Sequence, residues 1–306
     1  MPNILLTNFC NQKCPYCFAE NEFKKKKTEM SFDNFKLVLD FLKKSSDKNV
    51  RLMGGEPTLH SGFKEIIDFA LAGGFSVQVF TNGLFSSDIL NFLSEKAGKI
   101  KYSFNLNSPR DYSKSQWKLI LNNLETLSRY NNCLIGKVIW RKNFNIDYLL
   151  RLTSKYPIKT VMLRIANPII GEKNRFPVQK DYPALAKNII REIKKTDKDK
   201  VKIGFGCGLY QKMFNKRQQD ILKKHNIDLK WGCQANSGRF DIRTDLSVFR
   251  CFPLSDWQKK NLLDFKNIKE VEEYFSRLMK DRQLLNSKND FINQGPCFSY
   301  LLINNL

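Results

Sequence analysis

The sequence predicts an α/β protein, built as a partial (β/α)6 TIM-like barrel with a small C-terminal domain. Over residues 3 to about 197, short apolar segments alternate with segments whose apolar residues recur at helical spacing. Near residue 200 this alternation weakens, so we divide the chain into domains at 1–200 and 201–306. Six β/α units are fewer than the eight that close a full barrel. We therefore expect an open sheet with functional groups in the loops after its strands.

Each predicted strand is followed by a predicted helix. The strands are NILLTN (3–8), NVRLM (49–53), FSVQVF (75–80), KYSFNL (101–106), CLIGKVIW (133–140) and KTVMLRI (159–165). The helices begin near Ser31 and then span about 62–72, 86–96, 114–129, 146–154 and 179–195. Ser31 is a residue of the N-cap type, and Phe35, Leu39 and Leu42 share one face of the helix that follows. Repeated β/α units form a parallel sheet with helices outside it.

The C-terminal region has a different pattern. RFDIR (239–243) and LSVFRC (246–251) alternate like the two strands of a hairpin, with a turn at Thr244 and Asp245. Four of the eight cysteines of the chain lie in this region. We expect a small domain built around these cysteines.

The composition indicates a globular chain in a reducing compartment. The chain has 306 residues and is 42% hydrophobic, which is enough for a core. It has no run of eighteen apolar residues and no charged segment before an apolar N-terminal stretch. We therefore expect no membrane-spanning helix and no secretory signal, and we predict a cytoplasmic location. Cysteines in that compartment favour metal binding over disulfides.

The net charge of +22 has two interpretations. It fits an anionic partner such as nucleic acid, an acidic peptide or a membrane surface. It equally fits a lysine-rich composition spread over solvated faces, because KKKK at 24–27 is the one tight run. We favour the second interpretation and expect neither a membrane nor a nucleic acid as partner.

Three cysteines follow the first predicted strand, in the stretch CNQKCPYC. Cys10, Cys14 and Cys17 have the spacing C-x3-C-x2-C, and soft thiolates in such a loop suit an iron–sulfur cluster. A cubane has four irons, so three cysteines leave one iron open for a small chelating molecule. The alternative is a zinc loop. A structural zinc site normally has four protein ligands, and the chain has just two histidines, His60 and His225.

This stretch resembles the cluster loop of radical S-adenosylmethionine (SAM) enzymes, with the aromatic Tyr16 before the third cysteine. A second motif, MGGEPTL (53–59), follows the second predicted strand and resembles the GGEP motif of the same family. A tight turn is the alternative for that motif taken alone, but the two motifs together favour the radical SAM family.

The GGEP motif has a physical interpretation beside the resemblance. Gly54 and Gly55 allow a close backbone approach, and Pro57 stiffens the turn. Glu56 offers an acceptor for a ligand ammonium group. We therefore predict these four residues as part of a SAM site.

Further matches lie at the ends of later strands. Ser103 and Asn105, in SFNLN, alternate onto one face and are candidates to bond the ribose hydroxyls of SAM. Arg141 ends the fifth strand and is a candidate partner for the methionyl carboxylate. VFTNG (79–83) and LRIANP (163–168) end the third and sixth strands, and the second of them is a candidate to line the adenine or substrate pocket. Each residue is otherwise a turn residue at the end of a strand.

The resemblance implies a reaction and its cofactors. A reduced 4Fe–4S cluster gives one electron to bound SAM, the carbon–sulfur bond breaks, and a 5′-deoxyadenosyl radical takes a hydrogen atom from the substrate. An electron donor such as flavodoxin or ferredoxin is implied as a partner.

The C-terminal cysteines resemble those of the family's SPASM and twitch extensions, which carry auxiliary clusters. Cys207, Cys233, Cys251 and Cys297 are enough for one fully ligated cubane, whereas a full SPASM domain uses seven cysteines. The chain lacks the dense C-x2-C-x5-C-x3-C pattern of that domain. We therefore expect an iron–sulfur domain of the twitch or SPASM type with one auxiliary 4Fe–4S cluster. A structural zinc site is the alternative.

The remaining candidates carry less information. Cys133 opens the fifth strand and is expected to be a small buried hydrophobe, although a hydrogen-donor role would suit an epimerase. His60 is expected to be a turn residue behind the site. Some relatives of this type place an acidic residue after the second auxiliary cysteine. Phe252 stands at that position here, so we name no general base.

The sequence is compatible with several classes of substrate. We favour oxidation or cross-linking of a side chain in a peptide or protein, with a twitch-type dehydrogenase of sugar alcohols as the alternative. A tRNA-modifying radical enzyme and a non-enzymatic, metal-stapled basic binding protein are further alternatives. Because the chain begins almost at its first strand, we expect peptide recognition to use another surface or a separate recognition protein.

Overall fold

The described part of the chain forms one mixed sheet with helices packed on one of its faces. The structure is a computed structural model, and it describes residues 2–17, 26–44, 48–169, 174–227, 240–255 and 259–285.

The sheet has ten strands in the order β10-β9-β8-β1-β2-β3-β4-β5-β6-β7. Neighbouring strands from β1 to β7 are parallel, β8 is parallel to β1, and β9 and β10 add antiparallel pairs. The strands are β1 (Asn3–Thr7), β2 (Asn49–Gly54), β3 (Ser76–Thr81), β4 (Ile100–Asn105), β5 (Cys133–Ile139), β6 (Thr160–Ile165), β7 (Lys202–Phe205), β8 (Asp241–Ile242), β9 (Ser247–Phe249) and β10 (Lys260–Asn261).

The predicted helices are present close to their predicted bounds. Ser31 caps the first of them, because its hydroxyl accepts a hydrogen bond from the Asn34 N–H at 3.1 Å. The helices are α1 (Phe32–Lys43), α2 (Phe63–Ala72), α3 (Ser87–Glu95), α4 (Lys114–Ser128), α5 (Asp147–Lys155), α6 (Tyr182–Ile193), α7 (Lys216–Lys224) and α8 (Ile268–Leu285).

The main core lies between the parallel strands and these helices. Alternate strand residues such as Ile4, Val50 and Val77 are fully buried there, together with Phe35 and Ile66 from the helices. Each strand therefore buries one face against helices, as the alternating α/β sequence predicts. The opposite face of the sheet carries the intervening side chains and is the inner face of the partial barrel.

The inner face has a small apolar cluster of its own. Leu5 of β1 packs there with Phe249 and Phe252, and Cys17 and Met53 pack against the cluster. The rings of Phe249 and Phe252 meet edge to face, with centroids 5.3 Å apart. The C-terminal hairpin therefore contributes to the wall beside the cysteine loop.

The six predicted strands are confirmed, and the sheet continues beyond them. β7 pairs with β6 in parallel register, from Thr160 opposite Lys202 to Leu163 opposite Phe205. The predicted hairpin is also present, with β8 and β9 on the two sides of the turn, and β8 joins β1. The sheet thus crosses residue 200, and the division into domains at that residue stays a prediction.

Of the helices described, none combines the length and the apolar character needed to cross a bilayer.

A buried asparagine joins the loop after β3 to helix α4. Asn123 is fully buried, and its Nδ2 donates to the carbonyl oxygens of Gly83 and Phe85 at 2.9 and 3.0 Å. This loop begins with Asn82, whose side chain reaches the cysteine loop. One side chain of α4 therefore holds a loop of the candidate site in place.

We predict that Asn123→Ala lowers the free energy of unfolding by about 1–3 kcal/mol, because two buried carbonyls lose their donor. Chemical denaturation followed by circular dichroism measures the change. The neighbouring Asn122→Ala is the matched control, since Asn122 is exposed on the same helix. Equal effects of the two substitutions would contradict this role for Asn123.

Candidate active site

The cysteine loop lies at the carboxyl end of β1, where a parallel sheet of this type places its functional groups. Cys10, Cys14 and Cys17 are partly exposed, reduced cysteines in the segment that follows Thr7. A turn brings the last two together, because the Cys17 N–H donates to the Cys14 carbonyl at 3.0 Å. The thiols predicted to bind the cluster therefore share one compact loop.

The GGEP motif touches this loop backbone to backbone. The Gly55 N–H donates to the carbonyl of Thr7, and the Glu56 N–H donates to the carbonyl of Phe9, both at 2.8 Å. A Cβ on Gly54 would lie 2.3 Å from the Thr7 oxygen, and one on Gly55 would lie 2.1 Å from the Phe9 oxygen. A side chain at either position would therefore push the two loops apart. The close approach expected of these glycines is thus an approach to the cysteine loop.

Glu56 is enclosed by donors from two strand ends. The side chain is fully buried and accepts hydrogen bonds from the N–H and hydroxyl of Thr58, the hydroxyl of Thr81 and the N–H of Asn82, at 2.7–3.3 Å. Burial raises the pKa of Glu56, although these hydrogen bonds oppose the rise. Glu56 therefore joins β2 to the loop after β3. Its predicted bond to a ligand ammonium group stays a prediction.

Two asparagine amides approach the cysteine sulfurs, and the sequence analysis did not assign them. Asn82, after β3, places its Nδ2 3.8 Å from the Sγ of Cys10. Asn107, after β4, places its Nδ2 3.5 Å from the Sγ of Cys14. Both lie in segments noted in the sequence as strand ends, TNG and FNLN. Their sulfur contacts require the folded sheet.

The predicted ribose ligands lie on the inner face of β4, close to Tyr16. Ser103 is buried, and Asn105 donates from its Nδ2 to the Tyr16 hydroxyl at 3.3 Å. The Oδ1 of Asn105 is buried and has no hydrogen-bond partner among the described residues. An unpaired acceptor at this place fits a ligand hydroxyl group. The binding roles of these residues stay predictions.

Of the other predicted SAM ligands, Pro57 is buried and Arg141 is exposed. Pro57 begins a short 3-10 helix, Pro57–Leu59, which continues the GGEP turn. Arg141 is exposed, and its guanidinium carbon lies 4.7 Å from the ring centroid of Trp140. The backbone N–H of Arg175 donates to the carbonyl of Pro15, within the cysteine loop, at 2.8 Å. The predicted bond from Arg141 to a carboxylate stays a prediction.

Burial favours the protonated form of two of these thiols when no metal is bound. Burial raises the pKa of Cys10 to about 11, and the charge of Glu56 adds to this rise. Burial also raises the pKa of Cys14. A coordinating metal deprotonates a thiol outright and so overcomes such shifts.

The donor set fits the cofactors that the motifs imply. Cys10, Cys14 and Cys17 provide soft ligands for three irons of a 4Fe–4S cluster, and amide N–H groups face two of the sulfurs. Asn105 adds the unpaired acceptor described above. These residues lie at the carboxyl ends of β1 and β4, within one edge of the sheet.

The predicted auxiliary site is partly outside the described residues. Cys207 is exposed and follows β7, whereas Cys251 is partly buried and follows β9. Cys233 and Cys297 lie outside the described residues. The auxiliary cluster therefore stays a prediction.

The structure also shows where three further residues discussed from the sequence lie. Cys133 is 7% exposed and belongs to the main core, as expected for a small buried hydrophobe. His60 closes the 3-10 helix of the GGEP turn, and its Nε2 lies 2.8 Å from the Met30 carbonyl oxygen. Phe252 packs in the apolar cluster of the inner face.

Comparison with known families agrees with this site. Residues 4–139, from β1 to the end of β5, match the family described as the Radical SAM superfamily. The segment that holds the cysteine loop and the GGEP motif is therefore similar to this superfamily, whose members are enzymes that use a 4Fe–4S cluster and SAM.

Two curated relatives are similar to parts of the chain. The 7,8-dihydro-6-hydroxymethylpterin dimethyltransferase of Methanocaldococcus jannaschii is 38% identical over 98 residues, which cover 31% of this chain and 19% of the relative. The sporulation killing factor maturation protein SkfB of Bacillus subtilis is 38% identical over 79 residues, which cover 26% of this chain and 19% of the relative. The chain thus matches about a fifth of the length of either relative.

A solved structure shares the fold more widely. Streptococcus suis SuiB bound to its precursor peptide SuiA has a TM-score of 0.66 and 15% sequence identity. The match covers 88% of this chain and 64% of that chain. This likeness shows the fold and confirms the predicted partial barrel.

We predict that Gly55→Ala lowers the free energy of unfolding by about 1–3 kcal/mol, because its Cβ would collide with the Phe9 backbone. Because the collision displaces the loop before Cys10, iron bound per chain after anaerobic reconstitution should also fall. Gly62→Ala is the control, since a Cβ there meets nothing closer than 3.5 Å. Full iron loading and unchanged stability in Gly55→Ala would contradict this packing.

Proposed function

We propose that the protein cleaves SAM reductively and abstracts a hydrogen atom from a side chain of a peptide or protein substrate. The observation that carries the proposal is the packing of the three-cysteine loop against Gly55 and Glu56 at the carboxyl ends of β1 and β2. The match of residues 4–139 to the Radical SAM superfamily supports the same reading.

Some residues of the chain would bind the cluster, and others would fix the position of the cysteine loop. Cys10, Cys14 and Cys17 would hold the cluster, and the backbone contacts of Gly55 and Glu56 would keep their loop in place. When bound, the cluster and SAM supply the one-electron cleavage of a carbon–sulfur bond to methionine and a 5′-deoxyadenosyl radical. An electron donor such as flavodoxin or ferredoxin would supply the electron.

The ligand-facing side chains would orient SAM and limit the access of water. The free Oδ1 of Asn105 and the hydroxyl of Ser103 lie on the inner face of β4 and are the candidates for hydroxyl groups of the ligand. Tyr16 is 5% exposed and closes the cysteine loop over this strand. A buried, pre-formed wall of this kind restrains a reactive intermediate.

A peptide or protein substrate is supported by the relatives and by the charge of the inner face. SkfB is named as a maturation protein, and SuiB was seen with a precursor peptide. The inner face carries Arg51, whose guanidinium lies 4.7 Å from the Phe80 ring centroid. It also carries Arg164, whose side chain packs directly against Gly136 and Gly206. A Cβ on these glycines would lie 2.8 and 2.5 Å, respectively, from atoms of that side chain. Cationic side chains on this wall would complement an acidic peptide segment.

A small-molecule substrate is the second candidate. The relative from Methanocaldococcus jannaschii is named for its action on a pterin. The sugar alcohols that a twitch-type dehydrogenase would oxidise are also small-molecule substrates. A substrate screen that measures 5′-deoxyadenosine formation with acidic peptides, and separately with small alcohols, distinguishes the two candidates.

We also propose one auxiliary 4Fe–4S cluster, held by Cys207, Cys233, Cys251 and Cys297. The number of cysteines supports this proposal, because four thiolates ligate a complete cubane. Such a cluster would accept the electron that a two-electron oxidation of the substrate returns.

We predict that the protein, incubated anaerobically with SAM and a strong reductant, forms 5′-deoxyadenosine. Replacing Cys10, Cys14 and Cys17 by alanine should abolish that product, because the site then lacks its iron ligands. Liquid chromatography of the reaction mixture measures the product. Cys133→Ala is the control, since that thiol lies in the core. Product formation at the original rate in the triple variant would contradict the proposed site.

The auxiliary cluster makes a separate prediction for the same triple variant. About four irons per chain should remain after anaerobic reconstitution, because a cubane held by the four C-terminal cysteines contains four. Elemental analysis and an electron paramagnetic resonance spectrum of the reduced protein test this. Zinc, or no metal at all, would overturn the auxiliary cluster and leave the first site unaffected.

A further inference from the structure

Asparagine side chains at the ends of two strands face the sulfur atoms of the cysteine loop. The Nδ2 of Asn107 lies 3.5 Å from the Sγ of Cys14, which is a good distance for an N–H···S hydrogen bond. The Nδ2 of Asn82 lies 3.8 Å from the Sγ of Cys10 and makes a longer contact of the same kind. The sulfurs of Cys10 and Cys14 thus each have a side-chain amide donor, and the two donors come from different strand ends.

The amide of Asn107 is held in one orientation. The buried hydroxyl of Tyr16 donates to the Oδ1 of Asn107 at 2.5 Å, and the same hydroxyl accepts from the Nδ2 of Asn105 at 3.3 Å. The hydroxyl of Tyr112 accepts from the Asn107 N–H at 2.9 Å. With its oxygen turned towards Tyr16, the amide presents its N–H group to Cys14.

The amide of Asn82 is also anchored, although it divides its donors. Its Oδ1 accepts from the Leu84 N–H at 2.8 Å, and its Nδ2 donates to the Oδ1 of Asn11 at the same distance. The Nδ2 therefore reaches Cys10 with its second hydrogen. We expect Asn107 to have the larger effect of the two.

A hydrogen bond to a ligating sulfur stabilises the more negative, reduced state of an iron–sulfur cluster more than the oxidised state. Hydrogen bonds to the sulfurs are among the factors that set the potentials of such clusters. We propose that Asn107, oriented by Tyr16, raises the reduction potential of the cluster held by Cys10, Cys14 and Cys17, with a smaller contribution from Asn82. This inference rests on the proposed function of that loop. Asn107 is therefore a positioning residue, which acts on the reaction through the reduction potential of the cluster.

The test is a redox titration of the reconstituted protein without SAM, followed by electron paramagnetic resonance. The signal that changes when SAM is added afterwards identifies the cluster with an open iron. In Asn107→Leu, the ratio of reduced to oxidised cluster at the wild-type midpoint potential should fall about tenfold. For a one-electron couple, that equals about 59 mV. Asn82→Leu should shift the ratio in the same direction by less.

Asn105→Leu is the matched control, because Asn105 lies on the same strand and contacts Tyr16 but no sulfur. Its midpoint potential without SAM should equal that of the wild type. Tyr16→Phe keeps the amide of Asn107 but removes both its anchor and the interaction of the Tyr16 hydroxyl with Cys14, and it should lower the ratio about threefold. If Asn107→Leu does not load iron, Asn107→Ala provides the decisive measurement, because it removes the same amide donor with a smaller side chain.

The outcomes separate this inference from the function on which it rests. An unchanged potential in Asn107→Leu, or in Asn107→Ala where the first variant lacks iron, overturns the role of the amide while the cluster itself remains. If replacing Cys10, Cys14 and Cys17 by alanine leaves the iron content per chain equal to that of the wild type, the proposed function is overturned instead.

Discussion

The backbone contact between the ends of β1 and β2 is the constraint on which the rest of the site depends. The carbonyls of Thr7 and Phe9 accept hydrogen bonds from the N–H groups of Gly55 and Glu56, and no side chain separates the two loops. Because Cys10 follows directly, the position of the first thiol is set by this contact. A parallel sheet brings such strand ends to one edge, but only small residues allow them to touch.

From this contact the polar network extends along the edge of the sheet, one strand at a time. Glu56 links β2 to β3 through Thr81 and Asn82, and Asn82 links β3 back to the cysteine loop. Asn107 and Tyr16 make the corresponding link from β4. The order of the contacts follows the order of the strands. The cysteine loop is thus supported from three neighbouring strand ends, while each strand contributes a few short polar side chains.

The sequence predicts local elements well, because their signals are local. The alternation of apolar residues in NVRLM and the cap at Ser31 need no information from distant residues, and both predictions hold. β7 escaped prediction because KIGF is short and follows the point where the pattern weakens. The amide contacts to sulfur are beyond sequence reasoning for another reason. The two contacts join residues that are separated by 72 and 93 positions along the chain, and no local sequence pattern indicates that either pair is in contact.

The same network places opposing electrostatic influences on one metal site. The carboxylate of Glu56 adds to the burial that raises the pKa of Cys10, and a nearby negative charge opposes an added electron for the same reason. The amide donors of Asn82 and Asn107 act in the opposite direction. Glu56 receives four hydrogen bonds, which spread its charge over neutral donors and reduce its effect at the sulfur. A site that must accept an electron can therefore keep a buried carboxylate as a structural link, provided that the carboxylate is fully hydrogen-bonded and the sulfurs have donors of their own.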